Sequence, residues 1–251
     1  MNIEKLSTNA HKPSRLAVLD LTRGLALVAM TLFHFGWDLE MFGFVGSGFA
    51  SQPSMVWFAR CIASTFLFLV GFSLFLAHHK GINWPSFIKR LLMVFGAALI
   101  ITIATWFATP DIFIFFGILH NITLASLLGL LFLRVSAILN VLAAVVVLAL
   151  FWFAKSNLFD APYWWWTGLN AFTPRSSDYV PIFPFFAAVL LGMAASKITV
   201  ANGWIESWSQ IKSENGPSRL LQFIGRHSLV YYLVHQPIMI AILYMFHLLI
   251  R

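Results

Sequence analysis

Apolar runs of about twenty residues recur along this chain, and they constrain its fold more than any other feature. A run of that length crosses the hydrocarbon core of a bilayer as a helix, and only helices or closed barrels satisfy every backbone group there. Seven runs reach or approach it: Leu16–Trp37, Met55–Ala77, Phe87–Ala108, Ile112–Leu133, Ala137–Ala154, Pro181–Ser196 and Ser228–Ile250. The expected fold is all-α, a polytopic bundle of about seven transmembrane helices. Residues 1–14 are polar and form an N-terminal tail, and 15–251 form one transmembrane domain. Composition agrees, with 10% charged residues and a mean hydropathy of +0.83, against about 25% charged in a soluble domain. The first run is too long for a signal-peptide core and no small-residue cleavage site follows it, so it is expected to be retained.

The net charge is +7. The basic residues are scattered over short loops, which suits an orientation signal and not nucleic-acid binding. With the N-terminus inside, twelve Lys and Arg fall on inner segments and four (Arg60, Lys155, Arg175 and Arg251) on outer ones. N-in, C-out is therefore expected. No internal repeat stands out, which argues against a transporter built from two related halves.

The first run carries charges. On one helix at ~100° per residue, Asp20, Arg23, His34 and Asp38 share a stripe roughly 60° wide. Arg23 and His34 lie three turns apart, ~16 Å along the axis. Ionisable groups inside a membrane are expensive and default to functional candidates. Asp20 and Arg23, at i and i+3, also suit a structural ion pair. Asp38, one turn beyond His34, is placed to orient its imidazole.

The expected topology gathers His34, Asp38, Arg60, His120 and Asp178, with Tyr179, toward the outer side. It gathers Arg23, Arg90, Arg226 and His227 toward the inner side. His227, Tyr231 and His235 recur every four residues and should share a face. Pro237 follows them and can kink that helix. His120 and His235 read equally as packing residues, and Arg60 as a snorkelling cation. Cys61 reads as a small packing residue. His78 and His79 read as a solvated loop, Trp164–Trp166 as an interfacial belt. Trp204, Ile205, Trp208 and Ile211 mark an amphipathic interfacial helix, broken at Gly216-Pro217.

No glycine-rich phosphate loop, H-E-x-x-H or cysteine pair is present, and no metal site is expected. A histidine beside an aspartate, with no serine or cysteine at a nucleophile elbow, suits general-base work on a hydroxyl or amine, or an acyl-imidazole intermediate. The inner arginines suit phosphates. The alternatives are a small proton-coupled carrier using the same charges as a relay, or a scaffold held by ion pairs.

Several stretches resemble one known family. They are Arg15…Asp20…Arg23-Gly24 with His34 and Trp37-Asp38, Phe68-Leu-Val-Gly71-Phe-Ser73, and Phe116-Gly117-Ile-Leu-His120-Asn-Ile. Two more follow in the same order, Ser177-Asp178-Tyr179-Val-Pro181-Ile-Phe-Pro184 and Gly225-Arg226-His227-Ser228…His235-Gln236-Pro237. Together they resemble the bacterial family related to the catalytic domain of heparan-α-glucosaminide N-acetyltransferase. The Arg23-x10-His34 spacing is also similar to that of the wider membrane acyltransferase superfamily. The resemblance implies a bacterial inner-membrane acyltransferase with no permanently bound cofactor. It would move an acyl group, acetyl first, from cytoplasmic acyl-CoA to an extracytoplasmic glycan or lipid-linked sugar. It implies that Arg23 and His34 are essential. With the clusters above, the expected roles are Arg23, Arg226 and His227 on the donor; His34, Asp38, His120 and His235 in catalysis; and Arg60, Asp178 and Tyr179 at the acceptor. The loop Leu39–Ser54 holds no histidine, so the role of His34 follows the wider superfamily. Membrane lipid is an implied partner, and a homo-oligomer stays open.

Overall fold

The computed structural model describes residues 16–211 and 215–249. The proposed tail, and with it Arg15, Lys212 and Arg251, lies outside the described residues. The described residues form helices joined by loops, with no strand among them. Five helices are long and apolar enough to cross a membrane: α1 (Ala17–Met41), α2 (Pro53–His78), α3 (Trp84–Ala108), α6 (Ile182–Ala201) and α9 (Ser228–Leu249). Two shorter apolar helices, α4 (Ile118–Leu130) and α5 (Ala137–Phe153), lie between α3 and α6. Two more, α7 (Trp204–Ser209) and α8 (Gly216–Arg226), join α6 to α9. This is a multi-pass membrane bundle.

Helices α2 and α6 form its centre. Gly71 of α2 lies against the backbone of Val189, and Gly192 of α6 against that of Phe68; a Cβ at either position would come within 2.0 Å of the facing carbonyl oxygen. Small residues of this kind let membrane helices meet backbone to backbone, where packing drives association. Around the crossing, Leu67, Leu74, Val189, Leu190 and Met193 are buried together with Ala125 of α4 and Ala144 of α5. Helix α3 packs on α4 and α9, and α1 packs on α2, α8 and α9.

Helix α4 begins at Ile118, six residues later than expected. Residues 113–117 are non-helical, and their backbone is satisfied elsewhere. Thr102 Oγ1 donates to the Ile114 carbonyl at 2.7 Å, and the Ile114 N–H donates to Thr105 Oγ1 at 3.0 Å. The N–H groups of Ser177 and Val180 donate to the Ile112 and Phe116 carbonyls. At the other end of α4, the Lys197 ammonium reaches back from α6 to the Phe132 carbonyl at 2.7 Å and to that of Val135. At 13 residues, α4 spans only ~20 Å. Non-helical backbone at membrane depth is tolerated when protein satisfies it in this way.

Gly216-Pro217 does not only break the amphipathic segment; it starts α8. Proline in the first turn of a helix loses no helical hydrogen bond and has a φ already set for a helix. Helix α8 lies against α1 through two glycines. A Cβ on Gly24 would sit 2.0 Å from the Leu221 carbonyl oxygen, and one on Gly225 would sit 1.9 Å from that of Asp20. Helix α9 continues through Pro237 as one helix. Cys61 is exposed on the outer face of α2 and not packed inside. His78 is buried; its Nδ1 accepts the Asn83 N–H at 3.4 Å and its ring meets Phe87, so it is not a solvated loop residue.

Gly225→Ala should therefore push α8 off α1. We expect a loss of about 1–3 kcal/mol, read as a lower thermal midpoint in detergent. Gly96→Ala is the control: no atom lies within 4 Å of its added Cβ, so stability should hold or rise slightly.

Candidate functional site

Helix α1 carries a polar cluster at each end. At the first, Asp20 is 6% exposed and holds two arginines. Its Oδ1 accepts from Arg23 Nη1 at 3.2 Å, and its Oδ2 from Arg226 Nε at 3.2 Å. The expected pair is thus a triad reaching from α1 to the last turn of α8. Arg23 also donates through Nη2 to Ser73 of α2 at 2.5 Å, and Arg226 through Nη2 to Gln222 at 3.3 Å. Two guanidinium groups brought together on one carboxylate suit a phosphate-bearing ligand. His227 does not share a face with His235. It caps α8, its Nδ1 lies 2.9 Å from the Phe223 carbonyl, and its ring packs on that phenylalanine.

At the second end, three turns along, His34 of α1 meets His235 of α9 with ring centroids 5.2 Å apart. His235 Nδ1 lies 2.7 Å from the Tyr232 carbonyl. A carbonyl only accepts, so Nδ1 carries the proton and Nε2 the lone pair. That Nε2 and His34 Nδ1 are both buried with no hydrogen-bond partner. Native proteins pair nearly all such atoms; others here also lack partners, those of Asn140 and Ser196 among them, but these two belong to rings in contact across two helices. Tyr231 stacks on His235 and shares a hydrogen bond of 2.9 Å with Thr31 of α1.

Asp38 is fully buried, but its partner is Gln236, whose Nε2 donates to Oδ1 at 2.6 Å. No hydrogen bond joins Asp38 to His34. The carboxylate pins α9 against α1 and so positions His235, the residue before Gln236. His120 has a structural task. Its Nδ1 accepts the Gly117 N–H at 3.2 Å, and its Nε2 lies 3.1 Å from Thr102 Oγ1, so it caps α4. Both ring nitrogens are taken, and it does not line the cavity described next.

A cavity of about 730 Å³ opens beside His34. It lies among α1, α2, α5, α6 and the loop before α6. His34, Arg60, Asp178, Tyr179 and Tyr232 all line it, among apolar neighbours such as Met30 and Phe33. Asp178 is anchored there because its Oδ2 accepts the Ile118 N–H at 3.0 Å and the Tyr232 hydroxyl at 2.9 Å. The first of these bonds caps α4, where the helix dipole favours a negative charge. Burial pushes the Asp178 carboxyl above its usual range, and those two donors pull it back. Tyr179 donates to the Trp165 carbonyl at 2.6 Å with Asn170 Oδ1 alongside at 3.2 Å, and burial raises its pKa. It therefore ties the tryptophan loop to the cavity wall. Arg60 is exposed, with its guanidinium 5.5 Å from the Trp57 ring centre.

Between the two ends lies an apolar layer. Leu27, Met30 and Ile62 are buried there, with Phe33, Phe66 and Ile224 against them. Among the described residues, no three His, Cys, Asp or Glu side chains gather as metal ligands. Sequence reasoning missed Gln236 and Tyr232, which carry no charge to draw attention. Helical spacing offered one signal: Gln236 follows His235, and Tyr232 lies three residues before it.

Compared with known proteins, residues 15–237 match the family model described as heparan-alpha-glucosaminide N-acetyltransferase, catalytic. No curated protein and no solved structure gives a match.

Asp20→Asn should weaken the clamp on both arginines. We expect a loss of about 3–5 kcal/mol, the usual result of removing one partner of a buried ionic cluster. Arg226→Gln should cost less, since that side chain is 44% exposed and Asp20 keeps Arg23. Thermal unfolding of both variants in one detergent checks the order.

Proposed function

We propose acetyl transfer across the membrane for this chain, which belongs to the heparan-alpha-glucosaminide N-acetyltransferase catalytic family. That family implies a membrane acetyltransferase. The finer reading is that acetyl-CoA, or another acyl-CoA, comes from the cytoplasm to the Arg23–Arg226 end. An extracytoplasmic glycan or lipid-linked sugar would receive the acyl group at the His34 end. One observation carries it: His34, in ring contact with His235, borders a cavity at one end of α1, while two arginines share Asp20 at the other.

The chemistry balances with these side chains alone. His34 takes the proton from an acceptor hydroxyl or amine. The acceptor heteroatom attacks the thioester carbonyl carbon, the C–S bond breaks, and coenzyme A leaves as thiolate to be protonated from solvent. His235, held by the Tyr232 carbonyl and by the Asp38–Gln236 bond beside it, sits where it can stabilise the His34 imidazolium or pass its proton on. Asp178, Tyr179 and Arg60 supply polar contacts for the acceptor. His120 is left to its capping role. Arg23 and His34 are ~16 Å apart along the helix, and the Leu27–Met30–Ile62 layer lies between them. The donor's pantetheine arm must part that layer for the thioester to reach His34. Placing the Arg end in the cytoplasm follows the distribution of Lys and Arg.

The test uses proteoliposomes given radiolabelled acetyl-CoA and a crude lipid and glycan extract as acceptor. Wild type should transfer label, and His34→Ala should transfer about 10²–10⁴-fold less, the usual contribution of a general base. Equal transfer by both proteins would remove His34 from the reaction. Label uptake that follows a proton gradient, with no acetylated product, would favour the carrier.

A further inference from the structure

The acceptor cavity has one feature that a soluble glycan does not call for. Its walls are shared with the surface of the bundle that faces lipid. Trp57 and Trp152 line it and are 63% and 74% exposed. Leu148 and Leu191 line it as well and are also exposed. These residues belong to α2, α5 and α6. Helices α2 and α5 both pack on α6 and not on each other. The gap between α2 and α5, floored by α6, carries these apolar side chains from the cavity to the side of the bundle.

Two cations line that same cavity, Arg60 in the second turn of α2 and Lys155 just past the end of α5. Neither makes an ion pair with a described residue; among those residues the ion pairs are the two on Asp20. Each instead rests on an aromatic ring of its own segment, Arg60 on Trp57 at 5.5 Å and Lys155 on Phe151 at 4.4 Å. An ammonium or guanidinium over a ring keeps its charge and its outward donors. The one acidic side chain lining the cavity, Asp178, has Oδ2 committed to Ile118 and Tyr232. Positive charge thus stands at the ends of two helices beside that apolar gap, and the polar group His34 stands within.

We propose that this cavity takes an anionic lipid from within the bilayer, with its headgroup phosphate between Arg60 and Lys155 and its chains against Leu148, Trp152 and Leu191. On the acyltransferase reading, on which this assignment of the acceptor rests, the acceptor is then a sugar carried on a lipid phosphate. The phosphate anchors it, the tail stays in the membrane, and the sugar reaches inward to His34 and Asp178. A cavity of about 730 Å³ has room for a headgroup and the start of its chains, and is larger than one sugar ring fills.

Lipid binding is read apart from catalysis. Purified full-length protein is equilibrated with dioleoyl phosphatidic acid or dioleoyl phosphatidylcholine in detergent micelles, and retained lipid is counted by native mass spectrometry. Wild type should retain one phosphatidic acid with at least tenfold preference over phosphatidylcholine. Arg60→Gln/Lys155→Gln should lose that preference, and Arg60→Lys/Lys155→Arg, which keeps both charges, should preserve it. Millimolar glucose 1-phosphate should leave the lipid in place. Equal retention of the two lipids, or an unchanged preference in the Gln variant, would overturn the proposal. Displacement of the lipid by the soluble phosphate would overturn entry from the bilayer. Lipid preference without any acetyl transfer would reject the acyltransferase reading and leave the lipid site standing.

Discussion

Everything at one end of this bundle depends on a single carboxylate. Asp20 sits almost wholly buried in the first turn of α1 and holds Arg23 from its own helix and Arg226 from α8. A charge in that position survives only if it is paired. The pairing is possible because Gly24 and Gly225 let the two backbones touch. A methyl group at either position would separate the helices and leave Asp20 short of its second partner. The glycines are the steric condition and the ion triad is the electrostatic outcome.

The same device recurs at the centre, where Gly71 and Gly192 let α2 and α6 meet. That contact fixes one wall of the cavity. The opposite wall depends on α9, which Asp38 and Gln236 tie to α1 and which carries His235 to His34. Asp178 completes the frame by capping α4 and accepting the Tyr232 hydroxyl. Asp38, Gln236, Asp178 and Tyr232 thus each make a hydrogen bond that joins two segments. Asn140 and Ser196 also carry buried atoms without a partner; what sets the two histidines apart is their contact across α1 and α9 and the cavity beside His34. The apolar layer of Leu27, Met30 and Ile62 keeps the two ends separate, so transfer between them requires that layer to move.

Much of this was legible in the residues. Long apolar runs announced the membrane bundle, and the three-residue spacing announced the Asp20–Arg23 pair. Of the cluster expected on the outer side, His34, Arg60, Asp178 and Tyr179 line one cavity, and Asp38 and His120 do not. What stayed hidden has common physical causes. Helical spacing says which residues share a face but not which neighbour each prefers, so Asp38 was assigned to His34 when Gln236 of another helix holds it. His120 was grouped with the catalytic residues because helical spacing could not show that its ring nitrogens meet the Gly117 N–H and Thr102. Periodicity could not show that residues 113–117 leave the helix, because side-chain hydroxyls there replace backbone bonds. Gly216-Pro217 reads as a breaker, yet proline in a first turn starts α8, and so Arg226 was placed near Arg23 but its pairing with Asp20 was not seen. His227 fell off the face of His235 because a helix boundary lies between them.

The central claim is that the two ends of α1 serve opposite faces of one reaction. It is tested most directly with vesicles of known orientation, sealed and loaded with acceptor on a single side. Radiolabelled acetyl-CoA is supplied to the face carrying Arg23 and Arg226, and the side on which acetylated product appears is read with an impermeant glycosidase. The account predicts product only on the far side, at the His34 face. Product on the donor's own side, or transfer when donor is supplied only to the His34 face, would contradict it.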